Sequence, residues 1–284
     1  MFEPIQFCFG DSRLDNRITS ILGKLSKKPN EGFPQIFQKP AELEGFYRFI
    51  NNPSVTLSKL LAPPIAQTVS KIAERANEDI LVVHDTTEIS PVSKGGAISE
   101  FQHLGQGPAR KGFLAHCSLA VTSGKSRKIL GILGVTAWTR LQKKKTSSPW
   151  GTVSQEYRRW GKHIRQLNQN SDLDASRFIH IMDREADAYW LFAQLHTSQT
   201  RFIIRLYKNR PLSTASEDDQ KLFDLFREDP NSRIHDTIQV ESRKPHLMPK
   251  TRKIHPPREQ RTAHLVYQAK TVSLPKSKNV KHLP

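Results

Sequence analysis

The sequence predicts an α/β fold, a mixed sheet behind a small helical unit, and three observations predict it. Residues 11–75 carry helical spacing alone. Beyond them, apolar runs of strand length alternate with helical patterns. Two of those runs, Ile80–Val83 and Phe178–Met182, stop just short of an aspartate, Asp85 and Asp183.

In chain order, Asp11 or Ser12 can cap a first helix whose apolar residues Leu14, Ile18, Ile21, Leu22 and Leu25 recur at helical spacing. A second helix fits Pro40 to Asn51, with Leu43, Phe46, Tyr47 and Ile50 as its stripe and Asn52 and Pro53 as its stop. A third, Ser54 to Arg75, must be kinked or divided by Pro63 and Pro64. With Arg13, Arg17, Lys24, Lys27, Lys28, Arg48 and Lys59, this unit reads equally as a DNA-binding module or as a structural cap on the sheet that follows. No helix-turn-helix signature stands out.

The run ILVVHDTT (Ile80–Thr87) is the first strand. Alternation puts Leu81, Val83 and Asp85 on one face and Val82 and His84 on the other, so Asp85 is expected at the end of a core strand. A carboxylate there calls for a cation, and a divalent metal is one candidate. The plainer reading has Asp85 closing the strand against a turn at Thr86 and Thr87. A Gly-rich loop, Ser90 to Gly112, lacks phosphate-loop spacing and reads as a mobile surface segment. Phe113–Thr122 and Ile129–Trp138 are the next two strands, joined by a hairpin turn at Ser123–Lys128. A solvated basic loop around Lys143–Lys145 precedes a helix from Gln155 to Leu167. The fourth strand runs Phe178–Met182 into Asp183, and a helix through Ala186 and Leu195 and a fifth strand, Arg201–Arg205, follow. Asp183 has its own plain alternative, as N-cap of that helix with Glu185 in the first turn. Beyond Ser213 the pattern decays to a helical stretch at Glu217–Arg227 and weak alternation from Arg261 to Leu274.

Composition limits the function classes. Lys and Arg number 44 against 27 Asp and Glu, a net charge of +17 with a pI near 10.0. Such a surplus favours a polyanion, nucleic acid before anionic membrane, over a merely soluble basic protein. The stretch Arg243 to Pro284 alone holds eleven cations against Glu259, so part of the signal belongs to an arm rather than a groove. Two cysteines, Cys8 and Cys117, without ligand spacing exclude a disulfide scaffold and a Cys-based zinc site and fit a reducing compartment. The eleven histidines show no paired spacing and read as scattered polar residues. With no membrane-length apolar run and no secretory pattern at the N-terminus, a cytoplasmic protein with no membrane partner is expected.

The order, three antiparallel strands, helix, strand, helix, strand, is that of an RNase H-like mixed sheet, preceded by a small helical domain and followed by an incomplete β-rich insertion. The segments GDSRLDNR (10–17), ELEGFYRFINNPSV (42–55), LVVHDTTE (81–88), GFLAHCSLAV (112–121), MDREAD (182–187) and RFIIR (201–205) with Lys208 and Arg210 are collinear. Together they resemble the DDE transposases of the bacterial insertion-sequence-four family, in its Tn-five-like branch. The resemblance implies a helical DNA-binding domain at 1–76, the first part of a catalytic core at 77–212, and a partial insertion with a basic tail at 213–284. It puts the first two catalytic, metal-holding carboxylates on Asp85 and Asp183. DNA contacts fall on Arg13, Tyr47, Arg48, Asn51 and Asn52, with Lys208 and Arg210 beside the active site. It also implies double-stranded DNA, the transposon end, as partner, and two Mg2+ or Mn2+ ions for phosphodiester cleavage and strand transfer. The family's third carboxylate, a Glu within a Tyr, Arg, Glu, Lys motif, has no counterpart here. The expectation is therefore a C-terminally truncated, bacterial transposase-like protein, inactive alone. Its alternatives are a non-catalytic DNA-binding fragment that inhibits a full-length transposase, and an RNase H-like metal-dependent nuclease drawing a third ligand from Glu88, Glu185 or Asp187.

Overall fold

Asp11 starts the first helix: its carboxylate accepts from the Arg13 amide at 2.9 Å, and α1 (Ser12–Leu25) follows. The computed structural model describes residues 5–90, 102–104, 111–139, 155–213, 221–226, 234–245, 247, 255–267 and 269–275. After α1 come a single turn, α2 (Phe33–Ile36), and then α3 (Pro40–Ile50), with proline at its first position where no N–H is missed. In α4 (Leu57–Ala73), Thr56 supplies the cap. Pro63 and Pro64 sit inside α4 without dividing it, and their cost is confined to the bonds their missing N–H groups would have made. Aromatic rings fill the space between the first three helices. Phe9 meets Phe49 edge-on at 5.6 Å, and Phe37 stacks on Phe46 at 4.7 Å, in a cluster with Phe7, Ile18, Ile21 and Ile36.

The sheet is built from β1 (Ile80–Ile89), β2 (Gln102–His103), β3 (Lys111–Thr122), β4 (Ile129–Trp138), β5 (Phe178–Met182) and β6 (Phe202–Ile204). Its main path runs β4–β3–β1–β5–β6, with β2 on the start of β3. Pairs β1–β3 and β3–β4 are antiparallel; β1–β5 and β5–β6 are parallel. Both helices between β4 and β6, α5 (Gln155–Asn168) and α6 (Tyr189–Thr197), contribute to the core with Trp160, Ile164, Leu191 and Leu195. The residues of β1 that are buried are Ile80, Val82 and His84, joined from neighbouring strands by Ala120, Phe178 and Met182.

Two expectations change. Leu81, Val83 and Asp85 lie on the more open face of β1, and Val83 is 36% exposed while His84 opposite is 2% exposed. The helices cover the face of the alternate residues, so Asp85 meets solvent at no burial cost. Second, Asp183 does not cap a long helix. It heads one 3-10 turn, Arg184–Ala186, and the extended Ala188 separates that turn from α6. The Ser90–Gly112 loop lies outside the described residues apart from 90, 102–104 and the start of β3, as does the basic loop at 143–145.

Contacts divide the chain into two compact units, one reaching Leu206 and one beginning at Tyr207. In the second, β7 (Ile234–Val240) pairs antiparallel with β8 (Arg261–Tyr267) over seven residue pairs, which gives the weak alternation after Arg261 its partner. Of the helical stretch expected at Glu217–Arg227, the described part forms a 3-10 turn, Leu222–Phe226, and the remainder lies outside the described residues.

Helix α4 docks on β4 through one glycine. Gly131 has φ +151, and a Cβ there would lie 2.1 Å from the hydroxyl oxygen of Thr68, a buried residue of α4. Gly131→Ala should therefore cost about 2–4 kcal/mol from backbone strain and overpacking. Adding Thr68→Ala should recover about 1 kcal/mol of that by relieving the clash and leaving the strain. Urea unfolding of the two variants checks it; an unchanged midpoint in the single variant would contradict this packing.

Candidate functional site

Register places Asp85 and Asp183 at one level. In the parallel pair, Ile80 lies opposite Phe178 and Val83 opposite Ile181. Asp85 and Asp183 each stand two residues further on, at the level where β5 ends; β1 continues past Asp85 to Ile89, still paired with β3, so Asp85 lies within its strand and Thr86 and Thr87 are strand residues rather than the expected turn. Both are exposed. Asp183 accepts from the Glu185 amide at 2.9 Å, the cap bond of its plain alternative, while Asp85 accepts from the Thr87 hydroxyl at 3.4 Å along the same strand, with no turn there. Cys117 is opposite Asp85 on β3, and burial, then the Asp85 charge, raises its thiol pKa and keeps it protonated. Among the described residues, no third carboxylate gathers with this pair into a metal-ligating group. Of the three alternatives for a third ligand, Glu88 and Glu185 are exposed and Asp187 is buried.

The histidines are not scattered. His84, His116, His163 and His180 come together under the sheet end, all buried. Register assembles three of them: on the covered face His84 lies opposite Ser118, and Thr86 opposite His116, while His180 sits one strand over on β5 between the buried Phe178 and Met182. His163 descends from α5 above Gly134, where a Cβ would stand 3.1 Å from its ring. Trp160, one turn earlier on α5, meets the His116 ring edge-on at 4.6 Å. The bonds form a continuous chain. Asn168 Oδ1 is 3.0 Å from His180 Nε2, His180 Nδ1 is 2.7 Å from His84 Nε2, and His84 Nδ1 is 2.8 Å from Ser118 Oγ. Ser118 Oγ is in turn 2.7 Å from His163 Nε2, whose Nδ1 is 3.0 Å from Thr136 Oγ1. His116 joins through Nε2, 3.3 Å from His84 Nδ1, and its Nδ1 lies 2.8 Å from Thr86 Oγ1. With no cation-stabilising carboxylate in this chain of bonds, the rings are held neutral. Burial, then the charges His180, His116 and His163 would carry, puts His84 well below its ordinary pKa. Burial, then His163, takes His116 to about 3 and His180 to about 4, and burial alone takes His163 to about 4. Sequence reading missed this group because it looked for histidines paired along one helix or loop. The usable signal was parity: His84 follows Ile80 and Val82, His116 precedes Ser118 and Ala120, and His180 lies between Phe178 and Met182, all on inward positions.

The N-terminal helices present a groove of about 390 Å³ lined by Arg13, Asn16, Arg17, Ser20 and Lys24 of α1 and Glu42 of α3, above Phe37 and Phe46. Successive α1 residues three and four apart give this face its cations. Arg13 is 89% exposed at its side chain and chelates Asp11, which lowers the Asp11 pKa; Lys24 bonds Glu42 at 2.8 Å. The expected DNA contacts on α3 lie along its exposed end. Tyr47 is exposed, Arg48 pairs with Glu44 at 2.5 Å, Asn51 is the C-cap, and Asn52 accepts from the Ser54 amide. Lys208 and Arg210 belong to the second compact unit.

Residues 5–55 match the family model described as transposase DNA-binding, a segment that contains α1 to α3 and this groove. The match supports a transposase-like, DNA-binding protein. Among solved structures, the chain is similar to one titled "Mos1 transposase paired-end complex with left transposon end", at 12% identity and a TM-score of 0.23, covering 71% of this chain and 60% of that one. Among the described residues no helix is long and apolar enough to cross a membrane.

The four buried histidines set a pH dependence. Their folded pKa values lie below the ordinary 6.5, so the unfolded chain takes up protons first as pH falls. Their contribution is complete above about pH 6.5 and is lost as pH falls toward 4, each ring adding up to about 1.4 kcal/mol per pH unit. Urea midpoints should hold level between about pH 7 and 8 and drop steeply below about pH 6. In His180→Gln the slope of that drop should shrink by about one proton, and a slope equal to the parent's would contradict it.

Proposed function

We propose that this chain is a DNA-binding protein of transposase descent that recognises transposon-end DNA through its N-terminal helices. The match of residues 5–55 to the transposase DNA-binding model carries the reading, and the cationic α1 face in that segment supports it. Arg13, Arg17, Tyr47, Arg48, Asn51 and Asn52 are the contacts, with phosphate neutralisation supplying affinity and the polar α3 end supplying sequence preference. Lys208 and Arg210 hold backbone further along.

The sheet order β4–β3–β1–β5–β6, with two aspartates at one level, supports an RNase H-like core of the DDE kind in the Tn-five-like branch. Two adjacent hard-oxygen donors, open to solvent, fit Mg2+ or Mn2+. Asp85 and Asp183 would hold such ions, which when bound polarise a phosphodiester and activate the attacking water or 3′ hydroxyl. The chain's own part is to keep the two carboxylates level and open to solvent. Two carboxylates hold divalent ions more weakly than three, so end binding is expected to outlast cleavage where this pair acts alone. Among the described residues no three-ligand group within coordinating distance includes the pair, which supports the second reading, a DNA-binding fragment that occupies ends and inhibits a full-length transposase.

Duplex binding should weaken steeply with salt. Arg13→Ala with Arg17→Ala should lower the slope of log K against log salt by about 2, roughly 0.9 per lost phosphate contact. Should that pair leave the slope untouched while charge removal between Arg243 and Lys281 flattens it, the basic tail is the binding element and the proposed groove is wrong. In the same titration Asp85→Ala should bind as the parent does. Mg2+-dependent cleavage that disappears in Asp85→Ala would show that the chain completes its own catalytic site.

A further inference from the structure

We infer that His84, His116 and His163 form a buried site for one zinc-class divalent ion, separate from the Asp85 and Asp183 carboxylates. The three side chains are nearly inaccessible, at 2%, 2% and 6% exposure, and each offers one ring nitrogen to a common point, all within 4.8 Å of one another. His84 Nδ1 and His116 Nε2 are 3.3 Å apart. That is close to the edge of a tetrahedron with metal–nitrogen bonds of about 2.0–2.1 Å. The fully buried Ser118 Oγ hydrogen-bonds two of the rings, 2.8 Å from His84 Nδ1 and 2.7 Å from His163 Nε2, and the three imidazoles supply three positions of a tetrahedron whose fourth is left to water.

The opposite nitrogen of every ring is already anchored. His84 Nε2 is held by His180 Nδ1, which is itself fixed by Asn168; His116 Nδ1 is held by Thr86; His163 Nδ1 is held by Thr136. Outer partners of this kind fix ring orientation and tautomer at metal-binding histidines. With an ion bound, His116 and His163 carry their protons on Nδ1 and donate to the threonine hydroxyls. Without one, the same atoms pair only if both rings move the proton to Nε2, with His116 and the Ser118 hydroxyl both donating to His84 Nδ1. Four imidazoles are a costly filling for a core position unless something recovers the cost. Imidazole nitrogens suit zinc, whereas exposed carboxylates suit magnesium, so the two sites select different ions. The ion would join β1, β3 and α5, with β5 tied in through the His84–His180 bond, beside the strand positions of Asp85 and Asp183.

The test is metal content of the full chain, purified after zinc supplementation, together with Co2+ titration of the metal-free chain. About one equivalent of zinc and an intense tetrahedral Co2+ absorption are expected, both retained in the Asp85→Ala, Asp183→Ala double variant and lost in His116→Gln and His163→Gln. A chelator should also lower the melting temperature of the parent and zinc should restore it. A parent that holds no zinc and gives no Co2+ band overturns the site and leaves a neutral hydrogen-bond network. So does zinc retained by folded His116→Gln and His163→Gln chains. Where those variants do not fold, the parent's Co2+ spectrum decides: tetrahedral nitrogen coordination supports the site and octahedral oxygen coordination overturns it. None of these readouts depends on DNA binding, so the N-terminal proposal stands or falls separately.

Discussion

The parallel register of β1 on β5 is the constraint from which the rest follows. With Ile80 opposite Phe178, every alternate residue of both strands points under the helices, and the next residue along each points away. Inward go Ile80, Val82 and His84, with Phe178, His180 and Met182; outward go Asp85, within β1, and Asp183, just past the end of β5. A slip of one residue would carry the buried Phe178 and Met182 to the open face and break the His180 bonds, so the register is defended by the whole inward face. The antiparallel pairing with β3 then brings Ser118 and His116 beside His84 without any further device.

Much of the fold was legible because it is written in short-range periodicity. The strand at Phe178–Met182, the hairpin of β3 and β4, α1 with its Asp11 cap and α5 are all set by residues within a few positions of one another. Side-chain direction was not. The run Ile80–Val83 is apolar on both faces, so its pattern gives no sign of which parity the helices cover, and Asp85 was placed on the wrong one. What decides parity is the docking of α5, with Trp160 and His163 against His84 and His116, a contact between segments some eighty residues apart in sequence. Likewise β8 alternates weakly by itself, and only its partner β7 makes the alternation a hairpin.

The site was legible in proportion to how local it is. Asp85 and Asp183 announce themselves because each ends an apolar run. The histidine group is spread over β1, β3, α5 and β5, and no two of its members share an element. A search by spacing along the chain is blind to such a set. A search by parity within strands finds three of the four, since His84, His116 and His180 each share a face with buried neighbours.

The two groups are joined through the backbone, because His84 precedes Asp85 and His180 lies three residues before Asp183. The separation of the two carboxylates is set by the strands that carry them, since each side chain stands in solvent with one local bond of its own. Stiffness has to come from the strand ends below. Apolar packing alone fixes strand ends against burial loss but leaves small sliding motions cheap, since dispersion contacts vary gently with distance. A chain of directional bonds through Asn168, His180, His84, Ser118 and His163 ties β5, β1, β3 and α5 at one level, and each bond penalises sliding by its angle as well as its length. Polar residues in this position thus exchange some burial energy for a sheet end that keeps its geometry.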